Sequence, residues 1–191
     1  MDFFTGDVHR GHNRIVTLCN RPFSDGHEMD VAMINNHNSV ITNNDTCWSL
    51  GDYAFKCSAQ YCVEGLKRLN GHLVMLLGNH DKPLRQAWNR GLLDDMLKSG
   101  KLRIIGTKDR TEIVAKIEHF KNISFVLSHY AYRTWPKSFK GAIHLYAHSH
   151  NNLSSYYKST DVGVDARNFY PVSLDAIMEE MENVGKPFEE K

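Results

Sequence analysis

A chain of 191 residues can bury a sizeable core without disulfides, and 41% hydrophobic with 24% charged residues argues against a disordered or fibrous protein. Its 23 basic and 22 acidic side chains leave a formal charge of +1, without the basic excess that holding a long duplex requires. No signal-peptide pattern and no apolar run of about 18 residues is present, and Cys19, Cys47, Cys57 and Cys62 show no framework spacing. The chain therefore reads as soluble and cytoplasmic, with reduced thiols and no membrane partner.

The predicted elements alternate at first. Phe3 and Phe4 begin a strand that breaks at Gly6. Asp25 and Glu28 form a capping pair ahead of a helix reaching about Val40. A short apolar run, Thr46 to Leu50, stops at Gly51-Asp52. Ser58 caps a helix whose apolar positions Cys62, Leu66 and Leu69 keep the helical period, with Gly71 as its stop. His72 to Leu77 is continuously apolar, as a strand buried on both faces should be, and ends at Gly78-Asn79. Lys82 to Leu97 follows as a helix.

Strand-like runs then dominate, at Arg103–Ile105, Glu112–Ile117, Ile123–Leu127, Ala142–Tyr146 and Ser154–Lys158. Ser173 caps a last amphipathic helix carrying Leu174, Ile177, Met178 and Met181. No repeat or low-complexity tract interrupts the chain, so residues 1–191 read as one domain. The pattern predicts an α/β sandwich of two β-sheets with helices outside.

Eleven histidines are more than common usage supplies, and their placement is telling. Asp7 and His9, Asp52, Asn79 and His80, His129, and His148 and His150 each follow an apolar strand-like run. Ligands of open α/β sheets bind beyond the carboxyl ends of strands, so five strand ends would deliver Asp, Asn and His to one rim. His129 taken alone would be a packing histidine, and Asp52 beside Gly51 a turn residue. The complete set reads as a metal site. His27, His37, His72, His119 and His144 fit no motif and read as surface or packing residues, Asp165 as structural, and Glu179, Glu180 and Glu182 as a solvated helix face.

The motifs Asp7-Val8-His9, Gly51-Asp52, Gly78-Asn79-His80-Asp81, Ser128-His129 and His148-Ser149-His150, in this order, resemble the calcineurin-like metallophosphoesterase superfamily, most closely its small bacterial and phage-type phosphodiesterases. The resemblance implies a four-layer sandwich with a dinuclear centre at one rim. Two divalent ions about 3.5–4 Å apart can clamp the attacking and departing oxygens at phosphorus and acidify a bridging water into the nucleophilic hydroxide. Such a pair needs a bridging carboxylate, for which Asp52 is the natural candidate. By resemblance, Asp7, His9 and His150 complete one site with Asp52, and Asn79, His129 and His148 complete the other. The mixed O and N donors suit manganese first, with iron, zinc or nickel as alternatives.

In similar enzymes the histidine at His80 contacts the phosphate and protonates the leaving oxygen, and Asp81 would orient it and help keep its proton. His12, in Gly11-His12-Asn13, is expected to line the pocket or bind phosphate. Arg133 and Trp135, after His129, are candidates for phosphate and base contact, weighed evenly against ordinary surface.

Three departures stand out. Ala147 occupies a usual glycine position before His148, and would be strained if that position needs a positive φ. Tyr53-Ala54-Phe55 lacks the aspartate-arginine continuation of Ser/Thr protein phosphatases, and Asp81 stands where those carry glutamate. The expected activity is hydrolysis of a phosphodiester: a nucleotide, cyclic nucleotide or short oligonucleotide. The alternatives are a phosphomonoesterase for a small metabolite, a nuclease, or a non-catalytic interaction scaffold. Oligomeric state, a homo-oligomer included, is left open.

Overall fold

The computed structural model describes residues 1–107, 116–182 and 184. Two mixed β-sheets lie face to face, flanked by helices. The first has the order β4-β3-β2-β1-β9, formed by β1 (Asp2–Thr5), β2 (Thr46–Ser49), β3 (His72–Leu76), β4 (Leu102–Ile105) and β9 (Val172–Ser173). Its first four strands are parallel, and β9 runs antiparallel to β1. The second has the order β5-β6-β7-β8, formed by β5 (Lys116–Phe120), β6 (Ile123–Leu127), β7 (Ile143–Tyr146) and β8 (Ser159–Asp161). There β6, β7 and β8 are parallel, with β5 antiparallel at the edge.

The period-two alternation of side chains along a strand explains the layering. Phe4, Trp48, Val74 and Leu76 turn towards the second sheet and meet Phe125, Leu127, Ile143 and Leu145. Phe3, Cys47, Leu73 and Met75 turn the other way, onto Cys62 and Leu66 of α3 (Ala59–Lys67) and Leu84 of α4 (Lys82–Asn89). The first sheet is thus buried on both faces, which is why its strands read as unbroken apolar runs. Leu174, Ile177 and Met181 of α6 (Leu174–Glu182) close one edge of the inter-sheet core.

The caps act as the sequence suggests. The Asp25 carboxylate accepts from Glu28 N at 2.8 Å at the start of α2 (Gly26–Val40), and Ser58 Oγ accepts from Tyr61 N at 3.1 Å. Ser173 Oγ does the same for Ala176 N at 3.2 Å.

Two expectations are corrected. The helix predicted from Lys82 to Leu97 is two, α4 and α5 (Asp94–Lys98), because Gly91 adopts φ +71 and ends α4. Leu92 N donates to Ala87 O and Gly91 N to Trp88 O, the paired bonds of a Schellman stop. The strand expected over Ser154–Lys158 lies later, at β8: Tyr157 takes φ +51, while Tyr156 and Tyr157 pack against Trp135 and Val126. The polar residues Ser159, Thr160 and Asp161 are the buried ones, contrary to their composition. The short α1 (Ile15–Leu18) and β9 had no clear signal. The strand expected at Glu112–Ile117 falls largely outside the described residues; the strand observed there begins at Lys116. No helix among the described residues is long and apolar enough to cross a membrane.

Candidate metal centre

Five loops leave the carboxyl ends of β1, β2, β3, β6 and β7 and converge. Their register continues past the strands through backbone bonds: Asp7 N donates to Gly51 O (3.0 Å) and His9 N to Asp52 O (2.9 Å). In the second sheet Ser128 N donates to Leu145 O and Ala147 N to His129 O, each at 3.1 Å. The approach is close enough to demand glycine at two points. A Cβ on Gly51, whose φ is +103, would lie 2.7 Å from His129 Nδ1, and one on Gly78 would lie 2.2 Å from Asp52 Oδ1.

Two groups of donor atoms result. Asp7, His9 and His150 offer ligand atoms within 4.8 Å of one another, and Asp52, His129 and His148 do likewise. Asn79 Oδ1 joins the second group, 2.9 Å from His129 Nε2. Asp52 Oδ2 stands between the groups, 3.7 Å from His9 Nε2 and 3.3 Å from His129 Nε2. That is where a bridging carboxylate would sit.

The donors fit a bound cation. Both carboxylate oxygens of Asp7 and both ring nitrogens of His9 are buried without a hydrogen-bond partner. Orphaned polar atoms of this kind are costly unless something pairs with them. Burial pushes the Asp7 carboxyl up to about 7 and the His9 imidazole down to about 3. Burial would likewise raise Asp52, but hydrogen bonding and charge from His129 outweigh it and hold that carboxyl below its usual range. Two histidines are locked by their other nitrogen, which fixes the tautomer offered to a metal. His129 Nδ1 donates to Leu50 O at 2.8 Å, and His150 Nδ1 pairs with Asp165 Oδ2 at 2.7 Å.

Strain marks the same residues. Asp7 (φ 53), His9 (φ 55), Asp52 (φ 55), His148 (φ 66) and His150 (φ 47) all occupy the left-handed region. Asp and His enter it more readily than most residues, yet each instance costs about 1–3 kcal/mol, and such strain clusters at functional sites. Ala147 is not among the positive-φ residues, so its replacement of glycine imposes no such strain.

Of the other expected site residues, His80 and His12 reach the site. The His80 ring lies 5.5 Å from that of His9 and 4.4 Å from Phe55, and its backbone N donates to Asp52 Oδ1 at 2.7 Å. The His12 ring lies 5.4 Å from His9 and 4.3 Å from Phe55.

Asp81 has a different job from orienting His80. It is fully buried, and its oxygens accept from Gly78 N and Asp52 N, each at 2.8 Å, and from Ala54 N at 3.2 Å. It ties the second motif to the third through their backbones. Burial and the nearby Asp52 raise its pKa to about 6. Trp135 is also no substrate contact: it is buried against His144 and Tyr157 and donates its indole N–H to Ala142 O at 2.9 Å. Arg133 is exposed, but its guanidinium stacks over Tyr156 at 4.2 Å and engages none of the donors. The aromatic residues of this loop cover the outer face of the second sheet.

The sequence reading missed two contributors, Arg21 and Tyr130, and named Asp165 only as structural. Arg21, with its side chain out of solvent, donates Nε to Asp165 Oδ1 (2.8 Å) and Nη2 to Asp165 Oδ2 (2.7 Å). The same guanidinium donates to Asp7 O (2.7 Å) and Val8 O (3.1 Å). Burial alone would raise Asp165, but its bonds to His150 and Arg21 hold it below the usual range. One buried fork thus fixes the backbone of the first motif and, through Asp165, the ring of His150. Arg21 and Asp165 are 144 residues apart, and no local spacing joins them. Tyr130, adjacent to His129, packs its ring 4.3 Å from His148 and directs its hydroxyl to Asn79 Oδ1 at 3.4 Å.

Comparison with known proteins places the chain among relatives. It is 31% identical over 188 residues to the uncharacterized protein MJ1445 of Methanocaldococcus jannaschii, with 94% of this chain and 90% of the other covered. The chain belongs to the MJ1445 family. A second relative is the gene 66 protein of Mycobacterium phage L5, 24% identical over 184 residues and covered to 86% on both sides. The fold is similar to that in the crystal structure of AQ665 from Aquifex aeolicus, a protein of unknown function. The TM-score is 0.64 with 19% identity, over 94% of this chain and 98% of that one. No protein-family model matches the chain.

Proposed function

We propose that this chain is a metal-dependent phosphodiesterase with a calcineurin-like metallophosphoesterase fold and a dinuclear centre. The observation that carries the reading is Asp52 Oδ2, placed between two groups of donors whose buried Asp7 and His9 atoms lack a hydrogen-bond partner. Asp7, His9, Asp52 and His150 would hold one ion, and Asp52, Asn79, His129 and His148 the other. Bound there, two divalent ions would supply Lewis-acid charge at the phosphoryl oxygens and a water acidic enough to attack phosphorus. Nitrogen-rich donors with carboxylates suit manganese, iron, zinc or nickel.

The chain's own residues do the rest. His80 sits beside His9 at the mouth of the centre and delivers a proton to the departing oxygen. Phe55, edge-on to both His80 and His12, holds the two rings apart and in place. Asp81 keeps Asp52 and Gly78 in register, and the Arg21–Asp165 pair fixes His150. The substrate is a small nucleotide-like diester, in keeping with a net charge of +1 and a site open at the rim of the sheets.

The test is metal content of purified protein together with manganese-dependent hydrolysis of bis(p-nitrophenyl) phosphate and p-nitrophenyl phosphate. About two metals per chain and faster diester cleavage, both lost in Asp52→Asn, are the expected results. Faster monoester cleavage would make the protein a phosphomonoesterase. Absence of metal and of both activities would refute the reading.

A further inference from the structure

Beside His80 the surface opens into a groove of about 540 Å³. Phe55 and Lys56, directly after the Asp52 motif, form one wall; Lys82 and Gln86 of α4 form the other; Asn79 and His80 form the floor. Lys56 and Lys82 are both exposed, and no carboxylate lines the groove among the described residues. The groove has the volume of a small-ligand site. Its position is specific. The floor carries the candidate metal ligand Asn79 and the acid His80, whose ring also reaches to within 5.5 Å of His9. A group leaving phosphorus with the proton of His80 on its oxygen would depart along this groove, which Lys56 and Lys82 line.

We propose that the groove is the leaving-group subsite and that it selects diesters whose leaving group bears a phosphate of its own, as in a short single-stranded oligonucleotide. This rests on the phosphodiesterase reading above. The reaction is ordinary hydrolysis. Water supplies the oxygen that joins phosphorus and releases a proton to solvent, the bond from phosphorus to the leaving oxygen breaks, and His80 gives that oxygen a proton and is recharged from solvent. Lys56 and Lys82 contribute by pairing with the second phosphate, which a neutral leaving group cannot offer. One wall comes from the loop after the Asp52 motif and the other from α4, which directly follows the Asn79-His80 motif, so the subsite borders the candidate metal centre.

The experiment compares thymidylyl-thymidine with the same dinucleotide phosphorylated at both ends, using manganese-loaded protein and the double variant Lys56→Gln/Lys82→Gln. Two exposed charge pairs predict a kcat/KM about tenfold higher for the phosphorylated dinucleotide, falling to near parity in the variant. Calorimetric binding of thymidine 3′-phosphate and thymidine 5′-phosphate, the two leaving groups that can carry a phosphate of their own, should weaken in the double variant by about the same factor. Equal kcat/KM for the two dinucleotides with the unaltered protein, with bis(p-nitrophenyl) phosphate still cleaved, would overturn the subsite and leave the phosphodiesterase standing. So would a preference that survives loss of both lysines. Failure to cleave any of the diesters would overturn both.

Discussion

Replacing Arg21 by leucine tests whether the candidate metal centre hangs on a buried ion pair. The guanidinium is out of solvent, it grips both oxygens of Asp165 at 2.7 and 2.8 Å, and it supports the carbonyls of Asp7 and Val8. Leucine would leave a buried carboxylate with His150 as its remaining side-chain partner and two carbonyls short of a donor. Breaking a buried pair from one side costs about 3–5 kcal/mol, a large share of the roughly 5–15 kcal/mol that holds a domain together. In Arg21→Leu/Asp165→Asn no charge is stranded, so the double variant should recover about half of that loss. Urea unfolding in the presence of a chelator, followed by tryptophan fluorescence, reads these stabilities without any metal contribution. Manganese titration then reads the second consequence: with the first motif and His150 released, affinity should fall by about 10–100-fold. A loss below about 1 kcal/mol for the single variant, or losses that simply add in the double, would show that Arg21 and Asp165 are not a coupled unit.

Two further outcomes follow from particular contacts. His144 is fully buried with Nδ1 donating to Val126 O (2.9 Å) and Nε2 accepting from Tyr132 N (3.0 Å), so it must stay neutral, and burial lowers its pKa to about 4. Unfolded, it takes up a proton near pH 6.5, so its contribution is complete above that pH and declines as pH falls towards 4. Between pH 6.5 and 5 the unaltered protein should lose about 2 kcal/mol more than His144→Asn, measured by urea unfolding in chelator; parallel pH profiles would contradict the burial argument. Gly78→Ala would drive a Cβ into Asp52, whose Oδ1 would be 2.2 Å and whose N would be 2.5 Å away. The chain should still show its helical circular dichroism while the proposed diesterase activity drops by about 100-fold, and undiminished activity would mean that Asp52 need not hold its position.

The elements and the donors were legible in the chain because both depend on short-range pattern. Continuous apolar runs identified β2 and β3, the pairs Asp25/Glu28 and Ser58/Tyr61 start their helices as local capping chemistry requires, and each donor motif directly follows a strand. Buried polar strands were not legible. Ser159, Thr160 and Asp161 form β8 because Thr160 meets Glu180 and Arg167, and Asp161 meets Ser149 and Gly163, none of which the strand's own composition reveals. The aromatic residues after His129 misled for the same reason. An indole is equally at home on a base or in a core, and only the packing of Trp135 on His144 decides between them.

What the sequence by itself determined was therefore the menu: an α/β chain, thiols without framework spacing, and Asp, Asn and His donors set at strand ends. The tertiary structure alone decided how that menu is used. It turned Asp81 away from His80 and onto the backbones of Asp52, Ala54 and Gly78. It set Asp52 Oδ2 between His9 and His129, and it brought Arg21 to Asp165 across 144 residues. The physical reason is range. Helical period, capping and strand alternation act over a few residues, whereas the pairing of buried charges is settled only when the two sheets close on each other and water is expelled from between them.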